Sequence, residues 1–285
     1  MHGAEVAFEA IGTAWRITTA TPLPDATLDR VHATIAAYDR VWSRFRDDSV
    51  VRELARTGGT CTLPDHGGAL LDLYDVLDER THGAVTPLVG ASLERLGYDA
   101  GYHLRASGPA LPAPRTPVLR DGATITLAAP ALLDVGAAGK GQLVDLVAAE
   151  LRACGVGEYV VDAGGDLVHR GPDALRVGLQ APGDPTHVLG VVDVRDRALC
   201  GSAVDRRAWG DGLHHVVDAR TGTPTRDVVA TWVVADRAMD ADGLATALFF
   251  ADPDLLQDVV EHTYVRVHAD GRARFALDLP GEVFS

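Results

Sequence analysis

The spacing of apolar residues changes character along this chain, and that change limits the folds open to it. Leu28, Val31, Ile35 and Tyr38 keep a helical period to about Trp42, with Asp25 placed to cap the start. The same period returns over 67–80, in Leu70, Leu73, Val76 and Leu77, and over about 139–153, in Leu143, Val144, Val147 and Leu151. Between these runs lie strand-like segments: two short strands in 5–20 around Ile11-Gly12-Thr13, then Ala123–Leu127 and Glu158–Asp162. From 174 onward short strands dominate, at 174–180, 188–194, 213–218, 228–235, 263–268 and 273–277. Helices are expected from Asp240 or Asp242 to about Phe250 and over 253–261. Helices and strands mix without strict alternation, which favours an α+β fold over a doubly wound parallel sheet. The stretch 105–117 carries Pro109, Pro112, Pro114 and Pro117 and reads as a surface excursion. With no internal repeat, the chain reads as one domain over 1–285, two lobes parted near the excursion being the alternative.

Charge and cysteine usage exclude several classes of function. Twenty-six basic and 40 acidic residues give a net charge of −14, so nucleic acid and anionic membrane are not default partners. A hydrophobic content of 47% supports a sizeable core and excludes disorder. Cys61, Cys154 and Cys200 are scattered without metal-ligand spacing, which suggests a reduced compartment or a fold that needs no disulfide. No apolar run approaches the roughly 18 residues of a membrane helix. Glu5, Glu9 and Arg16 interrupt the start, so no signal-peptide core is visible. As written the chain reads as cytoplasmic; it would be exported if the sequence is truncated. Every basic residue but Lys140 is arginine, and asparagine is absent. A lysine kept against that background points to a need for a compact ammonium.

Four segments carry groups suited to chemistry. Leu133-Asp134-Val135-Gly136-Ala137-Ala138-Gly139-Lys140-Gly141 precedes a helix containing Asp145. Small residues admit a close ligand, and a helix N-terminus with a lysine favours an anion such as a pyrophosphate. It matches neither the Walker nor the dinucleotide pattern, and a plain strand-to-helix turn would look the same. Asp162-Ala163-Gly164-Gly165-Asp166 offers either a close backbone approach or a simple glycine turn. In His214-His215-Val216-Val217-Asp218 adjacent histidines point to opposite strand faces, so one alone could face a cleft and act as a base. Asp240-Ala241-Asp242-Gly243-Leu244-Ala245-Thr246 stacks Asp242 and Thr246 on one helix face, a hard oxygen pair suited to Mg²⁺; Asp there could equally be a cap.

In order and wording these segments resemble the ApbE-type FAD:protein FMN transferases over essentially the whole chain. The family's opening Met-Gly-Thr is matched by Ile11-Gly12-Thr13, and its Ser-x-aromatic stretch before Asp-Ser by Ser43-Arg44-Phe45-Arg46-Asp47-Asp48-Ser49. Residues 134–141 with Asp145, 164–166, 215–224 and 241–247 match its remaining motifs in order. Three places depart: Ile11 replaces Met, Thr86 replaces an acidic residue in Gly83-Ala84-Val85-Thr86-Pro87-Leu88, and the stretch Ala-Thr-Ser-Gly reads Cys200-Gly201-Ser202-Ala203. They touch flavin and acceptor contacts rather than the fold.

The resemblance implies a mixed α+β fold with interleaved helices, mostly antiparallel strands and a central cleft. It implies Mg²⁺-dependent transfer of FMN from FAD to a Ser or Thr hydroxyl of an acceptor protein, with release of AMP. On that basis Asp242 and Thr246, with the carbonyls of Ala137 and Ala245, would hold Mg²⁺. Asp134 and Lys140 would anchor FAD, whose ring would lie near Ile11 and Phe45, with Ala84, Val85, Thr86 and Val216 completing the flavin site. His215 would take the acceptor's proton, and Asp218 would raise its pKa if the carboxylate met the ring. The alternatives are an FAD-binding protein or FAD pyrophosphatase with no protein acceptor, and, more remotely, a non-catalytic scaffold.

Overall fold

A computed structural model describes residues 3–116 and 118–284; Pro117, one of the four prolines of the excursion, lies outside the described residues. The chain opens with the hairpin β1 (Ala4–Ala10) and β2 (Thr13–Thr19), followed by α1 (Asp25–Trp42) and α2 (Val50–Thr57). Next come β3 (Gly59–Thr62), α3 (Gly67–Arg80), α4 (Gly90–Arg95), β4 (Val118–Asp121), β5 (Thr124–Leu127) and α5 (Gly139–Ala153). The second half runs β6 (Tyr159–Ala163), β7 (Asp166–Arg170), β8 (Leu175–Gln180), β9 (Val188–Val194) and β10 (Ala198–Ala203). Two-residue strands β11 (Ala208–Trp209), β12 (Leu213–His214), β13 (Val217–Asp218) and β14 (Thr223–Pro224) follow. The chain finishes with β15 (Val228–Ala235), α6 (Ala238–Ala247), β16 (His262–His268), β17 (Ala273–Phe275) and β18 (Gly281–Val283).

Eight strands form the central sheet in the order β1-β2-β6-β7-β10-β15-β16-β17, and each pairing is antiparallel. Side chains alternate across it. Ala198 and Cys200 of β10 and Val233 and Ala235 of β15 face α5 and α6, in the main core with Val144, Val147, Leu244 and Leu248. Leu199 and Val234 face the other way and pack with Leu179, Val192 and Val194 of the small sheet β18-β9-β8. A strand covered on both faces has no polar side, which is why Val228–Ala235 is almost wholly apolar. Fold class and antiparallel pairing are as expected.

Some local expectations fail for identifiable reasons. Pro24, not Asp25, occupies the cap of α1, and Asp25 is its first residue. Helix α6 begins at Ala238, ahead of Asp240 and Asp242, because its cap comes from another element. The Asp145 carboxylate on α5 accepts from the N–H groups of Ala238 and Met239, both at 2.9 Å. The helix ends at Ala247, and Phe250 lies in the following turn. The expected helix over 253–261 is only a 3₁₀ turn, Pro253–Leu255, started by Asp252 accepting from Asp254; Val259 and Val260 then lead into β16. The run 213–218 is not one strand but β12 and β13, broken at His215 and Val216. Short elements at 50–57, 59–62, 90–95, 118–121, 198–203 and 281–283 had no clear periodic signal.

One glycine fixes the helix pair that carries the site. A Cβ on Gly141 would lie 2.6 Å from the Ala238 carbonyl carbon and 2.7 Å from the Asp242 Cβ. The bare position lets α5 close onto α6, and its N–H donates to Asp242 Oδ2 at 2.9 Å. The Lys140-Gly141 pair thus joins a charge facing the cleft to a contact behind it.

Candidate functional site

The loop entering α5 is built around Asp134. Its Oδ1 accepts from the N–H of Gly136 at 2.7 Å, and its Oδ2 accepts from Arg44 Nε at 2.5 Å. Arg44 is 2% exposed and also donates to the Tyr98 carbonyl at 2.6 Å, with its guanidinium 4.1 Å from the centre of the Phe45 ring. Burying an arginine requires such a partner set, so Asp134 has a structural bond besides any role toward a ligand. The N–H of Ala137 donates to Tyr74 Oη at 3.1 Å, which leaves the Ala137 carbonyl to Thr246, whose hydroxyl donates to it at 3.3 Å.

Lys140, in the first turn of α5, ion-pairs with the buried Asp166 and donates to the Ala163 carbonyl at 3.1 Å. The Gly164-Gly165 turn, with φ of 65° and 103°, reverses β6 into β7 and brings Asp166 to the lysine. The glycines therefore serve as a turn, and the aspartate after them as a counter-ion. Burial alone would lower the Lys140 pKa, but Asp166 and Asp242 outweigh it, and the ammonium stays charged with a raised pKa.

Asp242 is 3% exposed and caps nothing on its own helix. Burial, and then the neighbouring Asp166 charge, push its carboxyl well above the usual range, with Lys140 opposing. Two buried carboxylates share one lysine, so the cluster is short of positive charge. With the Thr246 hydroxyl and the Ala137 carbonyl nearby, the donors are hard oxygens of the kind Mg²⁺ takes while keeping waters. The Ala245 carbonyl already accepts from Thr231 at 2.6 Å, which leaves it one lone pair. Among the described residues no cluster of three or more His, Cys, Asp or Glu has metal-binding geometry, so the donors would be one carboxylate with neutral oxygens. That set fits Mg²⁺ and not a softer metal.

His214 and His215 point apart as expected, despite the break in the strand. His214 is buried and its Nε2 bonds to the Thr225 carbonyl at 2.9 Å. His215 lines the cavity, and its Nδ1 is buried without a partner. Asp218 does not reach it: that carboxylate is held by Arg220 at 2.6 to 3.1 Å. The expected rise in pKa is therefore reversed. Burial, and secondly the charge of Arg207, pull the ring down to about 4.

These groups open onto one cavity of about 420 Å³. Ile11, Phe45, Ala84, Val85, Thr86, Asp134, Ala137, Lys140, His215, Val216 and Thr246 all line it. Asp242 and Ala245 are buried behind the wall on α6. Thr86 accepts from the Leu88 N–H at 3.4 Å and starts the turn Pro87–Val89, a capping task an acidic residue performs equally well. Ile11 holds φ 45°, a left-handed backbone that strains a β-branched residue, in the two-residue turn between β1 and β2. Sequence reasoning gave no role to Arg44, Tyr74, Tyr98, Tyr102 or Arg207, which also line the cavity. An arginine in an Arg-rich chain, a tyrosine on a loop such as Tyr98 or Tyr102, and a tyrosine on the buried face of a helix such as Tyr74 carry no functional pattern of their own. The aspartate four residues after Gly141 did carry one, but its capping of α6 depends on a neighbouring helix.

Comparison with known proteins agrees with this architecture. The sequence pattern of the ApbE family matches residues 11–269. A FAD:protein FMN transferase of Klebsiella pneumoniae (strain 342) is 26% identical over 300 residues, 91% of this chain and 82% of that relative. One of Treponema pallidum (strain Nichols) is 31% identical over 283 residues, 84% of this chain and 76% of that relative. The crystal structure of an ApbE protein from Thermotoga maritima superposes with a TM-score of 0.83 at 22% identity, covering 97% of each chain. The flavin transferase ApbE from Vibrio cholerae gives 0.80 at 19% identity, over 96% of this chain and 98% of that one. With the motifs gathered at one cavity and a family match over most of its length, this chain belongs to the ApbE family.

Proposed function

We propose that this protein is a FAD:protein FMN transferase, moving FMN from FAD to a Ser or Thr hydroxyl of an acceptor protein and releasing AMP. The observation that supports the reading most is the cavity itself. The same lining carries Ile11, Phe45, Tyr98 and Tyr102, apolar and aromatic groups that suit a flavin ring, and Lys140, Thr246 and His215, polar groups that suit a phosphate. In the reaction the acceptor oxygen bonds to the FMN phosphorus, the phosphoanhydride bond to AMP breaks, and AMP leaves as the anion. The attacking hydroxyl is a weak nucleophile and its target is doubly anionic, so positioning and charge neutralisation do most of the work.

In this reading Asp242, Thr246 and the carbonyls of Ala137 and Ala245 would hold Mg²⁺, which would supply charge neutralisation at the pyrophosphate. Lys140 adds a charge fixed by Asp166. Asp134, fixed by Arg44 and the Gly136 N–H, lines the cavity beside the ligand's place. His215 receives the acceptor proton. Its pKa of about 4 keeps the ring neutral near pH 7 but makes it a weak base. The negative charge of an approaching pyrophosphate raises that pKa, so basicity returns when the substrate is bound. No helix among the described residues is long and apolar enough to cross a membrane.

The test incubates purified protein with FAD, Mg²⁺ and a candidate acceptor protein and weighs the acceptor by mass spectrometry. An FMN adduct on a Ser or Thr supports the reading. AMP and free FMN without an adduct would identify a pyrophosphatase, and neither product would identify a scaffold.

A further inference from the structure

Four cations line the cavity, Arg44, Arg46, Lys140 and Arg207, and three are already committed. Arg44 is held by Asp134, Arg46 by Asp39 and Asp48, and Lys140 by Asp166. The Arg207 guanidinium has no ion pair and no hydrogen bond among the described residues. Its central carbon lies 5.8 Å from the centre of the Tyr98 ring, and its charge acts on the His215 ring. The backbone explains its place. Arg207 ends the short 3₁₀ helix Val204–Arg207, and the hairpin that follows pairs Ala208 with His214, so Arg207 and His215 flank the same end of it. The His215 N–H donates to the Arg207 carbonyl at 3.3 Å.

An uncommitted arginine in this position is informative because the surroundings are acidic. The chain carries −14, and Asp39 and Asp134 in the cavity wall, with Asp166 and Asp242 behind it, would repel an anion. The other three cations are outnumbered by those four carboxylates and leave no surplus. A guanidinium offers five donors in a fork matched to phosphate oxygens, and one without partners keeps all of them for a ligand. We infer that Arg207 binds the phosphate of the flavin nucleotide, on the side of the cavity that carries His215. This assignment rests on the cavity being the flavin-nucleotide site. It makes Arg207 a substrate-binding residue that selects phosphorylated flavins and places the phosphorus next to the proton acceptor.

The experiment compares FAD, FMN and riboflavin binding by titration calorimetry to the protein, Arg207→Gln and Arg207→Lys, with thermal melts to confirm folding. Riboflavin carries the same ring without phosphate. The unaltered protein should bind both nucleotides more tightly than riboflavin. Arg207→Gln should weaken FAD and FMN roughly 10- to 100-fold, the effect of losing one charge-assisted hydrogen bond, and leave riboflavin unchanged. Arg207→Lys should recover part of the loss as a point charge. Unchanged FAD affinity in Arg207→Gln would overturn the assignment. So would an equal loss for FAD and riboflavin, which would make Arg207 a support for the Tyr98 ring. If the unaltered protein bound none of the three, the flavin-transfer reading itself would fall, and Arg207 with it.

Discussion

The ring of His215 gives the site a pH signature that can be worked out before any assay. Its pKa is pulled from 6.5 to about 4 by burial and by the charge of Arg207. At pH 7 about one ring in a thousand would then be protonated. In transfer assays from pH 4 to 9, kcat/KM reports the free enzyme and should lose activity only near pH 4 to 5. The profile of kcat reports the bound complex, in which the negative charge of the pyrophosphate faces the ring, so its acid limb should lie at higher pH. His215→Ala should lower the rate by about 10²- to 10⁴-fold and flatten both limbs. His214→Ala should keep both limbs, because that ring is tied to the Thr225 carbonyl away from the cavity. Stability follows the same proton. A depressed histidine pKa contributes stability that is present above pH 6.5 and lost as pH falls through about 4. His215→Ala should remove that part of the slope in chemical unfolding. A kcat/KM limb centred at 6.5 or above would show that burial does not set the ring's pKa. A His215→Ala protein with near-normal rate and intact limbs would hand the proton to another group. If His214→Ala were the dead variant, the orientation of the two rings would be reversed.

Asp242→Asn keeps an acceptor for the Gly141 N–H and removes a charge that burial and Asp166 disfavour. It should melt no earlier than the parent yet lose both Mg²⁺-dependent turnover and any rise of melting temperature with Mg²⁺; normal turnover would place the metal elsewhere. Lys140→Arg replaces an ammonium packed between Asp166 and the Ala163 carbonyl with a wider planar fork, and should weaken FAD binding measurably; unchanged affinity and rate would return the lysine to a structural counter-ion role. Asp145→Asn should destabilise the protein by about 1–2 kcal/mol, since an amide replaces one of two acceptor oxygens with a donor facing an N–H. Burial raises the Asp145 pKa to about 6, so its contribution is fully present below the unfolded value near 3.8 and declines as pH rises through 6. Asp145→Asn should abolish that slope, and a slope that survived would assign it to another carboxyl.

What the sequence disclosed follows from how far each signal reaches along the chain. The helices at 25–42, 67–80 and 139–153 were legible because an apolar face repeats within one segment. The start of α6 was not, because Asp145 caps it from 93 and 94 residues away in sequence. The cavity wall was legible where short motifs carry it, as at 134–141 and 215–216. Arg44 and Arg207 have no local pattern, and their roles depend on which carboxylates the fold brings near or keeps away. The Asp218–His215 contact failed for a similar reason. Three residues of separation allow the pair, but Arg220 claims the carboxylate and the chain bends at His215. Lys140 was conspicuous from composition alone, and its buried partner Asp166 lay in a segment that read as either a close backbone approach or a glycine turn, with no sign of the ion pair.

Transfer of FMN and hydrolysis of FAD are separated most directly by one measurement. AMP released is quantified by chromatography in the same reaction in which flavinylated acceptor is quantified by intact mass, with FAD and Mg²⁺ in excess. Transfer predicts one AMP for each FMN attached, with no free FMN accumulating and little AMP formed when the acceptor is left out. AMP released at the same rate with or without acceptor, matched by free FMN and no adduct, would contradict it.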